Sequence, residues 1–224
     1  MLGAPMDAYR ARVCAGLSGD VLELGFGSGR NLAHLPVDVK RVLAVEPSEV
    51  GTSLAANRIA ASDIPVEFVG RSGEELALEN ESVDHVLVTW TLCTIPDVAR
   101  ALSEVRRLLK PGGTLHFIEH GRSPDPETAR WQDRLNPLWG RLFGGCHLDR
   151  SIDELVRNSG LVLRDVKMYS MSRERKARLQ GLSFEESLAH SPDGTSTGGT
   201  LERLGRVTSE LAGFAYEGVA EKLA

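Results

Sequence analysis

The chain has 224 residues, 42% of them hydrophobic and 25% charged, enough to bury a full core and to expect one domain spanning 1–224. Its formal net charge of −5 argues against a phosphate-backbone partner, so nucleic acid is not expected. The three cysteines, Cys14, Cys93 and Cys146, are far apart with no Cys-x-x-Cys spacing, which suits a reducing, cytoplasmic setting better than a disulfide framework.

The first residues lack the apolar core of a secretory leader, and no apolar run approaches the roughly 18 residues that span a bilayer. A protein without membrane residence is expected. Residues from about Pro5 to Leu17 read as an amphipathic helix, and Val21 to Leu24 as a buried strand. That strand breaks into Gly25-Phe26-Gly27-Ser28-Gly29. Glycines at alternate positions predict a tight loop where a ligand touches bare backbone, because only glycine enters positive φ without cost. The dinucleotide fingerprint needs a third glycine where Arg30 stands, so that reading fails. Glu23, two residues before the loop, would repel a bisphosphate but suits a cationic ligand.

A short helix follows from about Arg30 to Leu35, stopped by Pro36. The second strand, Arg41 to Val45, ends on Glu46. An acid at this tip, about 20 residues past the loop, is placed to accept from both hydroxyls of a ribose. Ser48 is the better cap for the helix from Glu49 to Ala61, which leaves Glu46 free for a ligand. Val66 to Val69 makes a third strand, followed by the polar loop carrying Ser72, Gly73 and Glu74. Val83 to Val88 is the fourth and delivers Thr89 and Trp90 to the rim where open α/β sheets bind ligands. Asp97 caps a helix from Val98 to Leu109 that Pro111-Gly112-Gly113 should end. Cys93 reads as a small buried hydrophobe.

Thr114 to Ile118 is a fifth strand, and it carries Glu119-His120-Gly121-Arg122 to the same rim. Asp125 to Phe143 reads as a helix interrupted at Pro137. Ser151-Ile152-Asp153-Glu154 forms a capping box for a helix ending near Gly160, and a sixth strand runs from Leu161 to Met168. Residues 172–211 are polar and loop-rich, and read as an insertion before a closing strand at about Phe214 to Ala220. The insertion covers the acceptor, contacts a second subunit in a homodimer, or is a solvated excursion.

Glu23-Leu24-Gly25-Phe26-Gly27-Ser28-Gly29 resembles the first motif of class I S-adenosylmethionine-dependent methyltransferases. The resemblance implies an α/β fold with a Rossmann-like seven-stranded, mostly parallel sheet flanked by helices, and S-adenosyl-L-methionine as cofactor. It implies that Glu23, Gly25, Gly27 and Gly29 hold the amino-acid end and that Glu46, beside Pro47, takes the ribose. Ser72, Gly73 and Glu74 would then flank adenine, with Thr89 and Trp90 facing the cofactor. A narrower set, Trp90-Thr91-Leu92-Cys93, Glu119-His120-Gly121-Arg122, Trp131-Gln132, Leu135-Asn136-Pro137 and Gly145 to Arg150, resembles the thiol S-methyltransferase branch over roughly Val21 to Tyr169. Animal members of that branch are membrane-anchored, but this sequence lacks their N-terminal membrane helix, so membrane residence is not carried over.

The expected function is methyl transfer to a small-molecule acceptor, first of all a thiol sulfur. For a thiol of pKa about 8.5 a modest push toward thiolate is enough, and His120 is the first candidate base, His147 the second, with the charge of Arg150 nearby. Cys146, His147, His120 and Glu119 have zinc-binding chemistry, but their spacing matches no structural zinc pattern and no metal is expected. The alternatives are O-, N- or C-methylation of a natural product or quinone, or a non-catalytic S-adenosylmethionine-binding protein.

Overall fold

A computed structural model describes residues 6–189 and 213–223. Seven strands build one sheet: β1 (Gly19–Leu24), β2 (Val39–Val45), β3 (Val66–Gly70), β4 (Val83–Thr89), β5 (Leu109–His120), β6 (Val162–Ser170) and β7 (Phe214–Glu221). Their spatial order is β3-β2-β1-β4-β5-β7-β6. The pairs from β3 through β5 are parallel, and β7 alone runs antiparallel to both of its neighbours. The expected mostly parallel, seven-stranded sheet is therefore observed. From β1 the chain steps outward to β2 and β3, then crosses back to β4 on the other side of β1. That reversal opens a crevice beyond the carboxyl ends of β1 and β4.

Register decides what lines the crevice. Leu24 lies opposite both Val45 and Val88, and Thr89 opposite Ile118. Gly25, Glu46, Trp90 and Glu119, the next residue on each strand, therefore emerge along one edge. The central strands are buried on both faces, which is why they read as continuous apolar runs. Leu22, Leu24, Leu43, Val45, Val86, Val88, Leu115 and Phe117 form one face, with α3 (Val98–Leu108) and α5 (Ile152–Asn158) packed against it. Val21, Val42, Ala44, Leu87 and Ile118 form the other, covered by α1 (Asp7–Cys14) and α2 (Glu49–Ala60).

α1 is pinned from the far side of the sheet. The Arg12 guanidinium donates to both oxygens of Glu217 at 2.9 and 2.8 Å and to the Tyr169 hydroxyl at 3.1 Å, and it lies 3.7 Å from the centroid of the Phe184 ring. Tyr9 donates to Glu174. These ties hold the helix so that Arg10, on its sheet side, reaches the crevice.

Several local readings are corrected. Arg30–His34 is a 3-10 turn rather than an α-helix. α3 ends at Leu108, one residue before the expected end, but β5 starts at Leu109 rather than Thr114, so Pro111-Gly112-Gly113 lies inside the strand. The end of β7 supplies the partners: Gly112 N–H donates to Lys222 C=O at 2.8 Å, and Lys222 N–H to Gly113 C=O at 3.0 Å. A Cβ at Gly113 would stand 2.8 Å from the Asp84 carbonyl oxygen, so glycine here serves close strand approach. α4 (Pro126–Leu142) runs unbroken through Pro137, starting from Asp125, whose carboxylate accepts from Thr128 N–H at 2.8 Å. Ser151 makes no side-chain cap, so the capping box before α5 does not form. The proposed insertion begins with α6 (Met171–Leu179) and α7 (Phe184–Ala189); the remainder of 172–211 lies outside the described residues from 190 onward. Among the described residues, no helix is long and apolar enough to cross a membrane.

Candidate active site

The β1–α turn places Gly25, Gly27 and Gly29 at φ +75°, +56° and +70°. The loop forms one wall of a cavity of about 250 Å³ lined by Arg10, Gly25, Phe26, Gly27, Ser28, Arg30, Thr89, Trp90 and Thr91. Glu46, at the tip of β2, accepts from Gly27 N–H at 2.6 Å and from Ser48 N–H at 2.8 Å. Each oxygen keeps a further lone pair for a ligand hydroxyl. A second, shallower cleft beside it is lined by Glu46, Glu49, Thr52, Ser53, Phe68, Val69, Gly70 and Arg71. Gly27 lines the first cleft and Glu46 the second, and the hydrogen bond between them makes the two clefts neighbours.

Glu23 lies beneath the loop, 1% exposed. Its Oε1 accepts from Asn31 Nδ2 at 2.8 Å, while its Oε2 is buried with no partner among the described residues. Burial pushes this carboxyl up to about 8, against the opposing effects of the Asn31 hydrogen bond and the Arg10 charge. Arg10 donates to Asn31 Oδ1 at 2.6 Å and stands 5.0 Å over the Trp90 ring. The pocket therefore offers two guanidiniums, Arg10 and Arg30, at its wall and, below the loop, a buried acid with one oxygen unpartnered, a pattern that suits a zwitterion.

A pH test follows. The ordinary value of 4.5 holds in the unfolded chain, and the folded value is raised, so Glu23 adds stability below pH 4.5 that is lost as pH rises through about 8. The stability of the ligand-free protein relative to a Glu23→Gln variant is expected to fall between about pH 5 and 8. Paired thermal melts check it; parallel pH profiles for the two proteins would contradict it.

Trp90 sits at φ +53°, strained for a side chain of this size. Its backbone N–H donates to Ile118 C=O at 2.8 Å, and the turn after it is held from below by Glu119. That carboxylate, 0% exposed, accepts from the amides of Thr91, Leu92 and Cys93 at 2.8, 3.0 and 3.2 Å. Burial pushes it up to about 7, partly offset by these three bonds.

Of the adenine-side candidates, Ser72 Oγ accepts from Glu74 N–H at 3.2 Å, and Glu74 accepts from Asp97 N–H at 2.8 Å. A Cβ at Gly73 would meet Leu24 at 3.3 Å, so this loop closes down on the tip of β1. The Pro47 carbonyl accepts from Arg71 at 2.9 Å beside the second cleft.

Further along the rim, His120 ends β5 next to Cys93 and Cys146, with one ligand atom of each within 4.8 Å of the others. The two thiols act on one another. The bond to Cys146 and burial push Cys93 up, while the bond from Cys93, burial opposing, pulls Cys146 down with help from His120. His147 stands apart from this group, with Asn136 Nδ2 at 3.3 Å and Asp149 at 3.7 Å. Arg150 does not pair with Asp149 in an ion pair; it donates to the carbonyls of Leu92 and Ile95, with its charge facing both cysteines. Arg10, Asn31 and Arg30 escaped the sequence reading. Nothing local marks Arg10, which reaches the crevice only because α1 packs across the sheet.

The open sheet, its switch point and the glycine loop define a nucleoside-type cleft on an α/β scaffold. Residues 22–117 match the family model described as "Methyltransferase domain". This match, the fold and the relatives described next support a class I S-adenosylmethionine-dependent methyltransferase. It is similar to thiol S-methyltransferase TMT1B of Rattus norvegicus, 37% identical over 136 residues, covering 58% of this chain and 54% of that protein. It is also similar to a demethylmenaquinone methyltransferase of Clavibacter sepedonicus, 31% identical over 123 residues, 54% of this chain and 50% of the other. A solved S-adenosylmethionine-dependent methyltransferase from Mesorhizobium loti superposes with a TM-score of 0.64 at 18% identity, covering 98% of both chains. The chain thus spans little more than half the length of the curated relatives it matches.

Proposed function

We propose that this chain transfers the methyl group of S-adenosylmethionine to the sulfur of a small-molecule thiol. The cofactor brings an electrophilic methyl on a sulfonium, with a neutral thioether as leaving group. The residues fit such a ligand: the orphaned Glu23 Oε2 calls for a cation nearby, Arg10 and Arg30 for a carboxylate, and Glu46 for a diol. Gly25, Gly27 and Gly29 leave the wall bare, Thr89 and Trp90 shape the rim, and Pro47, Ser72, Gly73 and Glu74 line the adenine side.

The observation that carries sulfur as acceptor is the rim itself. His120, Cys93 and Cys146 cluster at the ends of β4 and β5, beside the charge of Arg150, where a thiolate is favoured and a neutral hydroxyl gains little. Of the two histidines, His120 belongs to this cluster and is the first candidate to act on the acceptor thiol, and His147, which stands apart, is the second. The similarity to TMT1B supports the same acceptor class, and the similarity to demethylmenaquinone methyltransferases supports a quinone carbon as the second reading. Free, buried cysteines fit a reducing, cytoplasmic setting.

Labelled methyl donor offered with parallel panels of thiols, phenols, amines and reduced quinones tests the proposal. Turnover of thiols is expected. Turnover confined to another class removes the sulfur assignment.

The Glu46→Gln variant tests the cofactor half separately. Losing the charged acceptor is expected to weaken S-adenosylhomocysteine binding roughly 100-fold, the equivalent of about 3 kcal/mol from two charge-assisted hydrogen bonds. Isothermal titration calorimetry reads this directly, and unchanged affinity would place the ribose elsewhere.

A further inference from the structure

The rim cluster has a geometry that proton transfer alone does not call for. Cys93 follows β4, His120 ends β5, and Cys146 lies in the turn after α4, so three elements converge on one point. Ligand atoms around a tetrahedral zinc, with bonds of about 2.3 Å to sulfur and about 2.0–2.1 Å to nitrogen, are roughly 3.5–3.8 Å apart. The three atoms here already lie within 4.8 Å of one another, a closure that side-chain rotation supplies.

Their backbones are braced. His147 N–H donates to Cys93 C=O at 2.7 Å, tying the Cys146 turn to the β4 tip, and Cys146 N–H donates to Phe143 C=O at 3.2 Å. Cys93 N–H donates to Glu119 at 3.2 Å. A set held this way is preorganised to bind without unfolding its surroundings. Two sulfurs and an imidazole are soft ligands that select zinc-class cations over magnesium or calcium. Two thiolates also neutralise a dication, so a buried ion carries no net charge. Three protein ligands rather than four is the arrangement of zinc sites that keep a position open for chemistry. Cys93 and Cys146 are 1% and 6% exposed whereas His120 is half-buried, so that position is reached from the His120 side.

We propose that Cys93, His120 and Cys146 bind one zinc-class divalent cation whose fourth position takes the sulfur of the acceptor thiol. The metal half stands on the cluster alone; the acceptor half rests on the sulfur reading above. When the thiol binds, its S–H bond breaks and the proton passes to solvent. The freed sulfur pair forms the bond to the cation and displaces a water. No electron is transferred and no oxidant is needed. A metal-bound thiol is deprotonated at neutral pH, where a free one of pKa about 8.5 is mostly protonated, so the cation rather than the imidazole supplies the thiolate.

The test uses the full chain, purified without chelator or affinity metal and kept reduced with a phosphine. Elemental analysis is expected to find about one zinc per chain, held after dialysis. In Cys146→Ser and His120→Ala, metal affinity is expected to fall by more than the roughly 10–100-fold that follows loss of an outer hydrogen-bond partner. Both variants should still bind S-adenosylhomocysteine, which shows that they fold. Cobalt(II) in place of zinc should give thiolate-to-metal charge-transfer absorption that 2-mercaptoethanol intensifies and ethylene glycol does not. Wild-type protein without stoichiometric metal, or with metal that the variants retain, overturns the site even if thiols are methylated. A cobalt spectrum indifferent to 2-mercaptoethanol overturns the open position. Metal binding with no thiol turnover in the acceptor panel removes the acceptor reading and leaves the metal.

Discussion

Gly25→Ala is expected to cost about 2–5 kcal/mol and to abolish cofactor binding. The left-handed conformation at φ +75° accounts for roughly 1–2 kcal/mol in an L-residue. The added Cβ would stand 2.1 Å from Thr91 Oγ1 and 2.6 Å from Thr91 Cγ2, an overlap that costs about 1–3 kcal/mol more. Thr91 has little room to retreat, because its own amide is held by Glu119. The clash therefore passes into the turn that carries Trp90 and Cys93, and the two walls of the cleft separate. For a chain of this size Tm should fall by at least about 5 °C. Differential scanning calorimetry and titration with S-adenosylhomocysteine read both effects, and a variant that melts and binds like the wild type would show that the loop yields freely.

Glu119→Gln is expected to destabilise the rim at the ends of β4 and β5 by about 1–3 kcal/mol while leaving the glycine loop in place. One carboxylate oxygen accepts from Thr91 and Leu92 and the other from Cys93, whereas an amide of the same shape keeps the first acceptor and turns its NH2 toward the Cys93 amide. Each buried donor left without a partner costs about 1–3 kcal/mol. Relief of the burial that raises this acid to about 7 offsets part of that at neutral pH. The expected signature is faster hydrogen exchange at Thr91, Leu92 and Cys93, with turnover falling more than cofactor affinity. Unchanged exchange at these amides would mean that the turn is held by something other than Glu119.

These two residues also mark where sequence reading works and where it stops. Gly25 announces itself: a buried strand that ends in alternating glycines has few other uses, and Glu46 follows from the rule that the second strand's tip faces the same crevice. Glu119 ends an apolar run as Glu46 does, and nothing local distinguishes a ligand-facing acid from one that holds a turn together. The errors at Pro111 to Gly113 and at Pro137 have one cause. Local propensity ends an element there, and tertiary pairing with β7, or the continuous packing of α4, carries the chain through.

What the amino-acid sequence by itself determined is the local part: the parallel strands from their apolar runs, the glycine loop after β1, and the acid at the end of β2. The tertiary structure alone decided that Arg10 reaches across the sheet to the cleft, and that Cys93, His120 and Cys146 meet at one rim while His147 stays aside. The physical reason is that crossover connections in a parallel sheet bring strand tips together from distant parts of the chain. No spacing rule spans such separations, and only the packing of helices against both faces of the sheet fixes which tips meet.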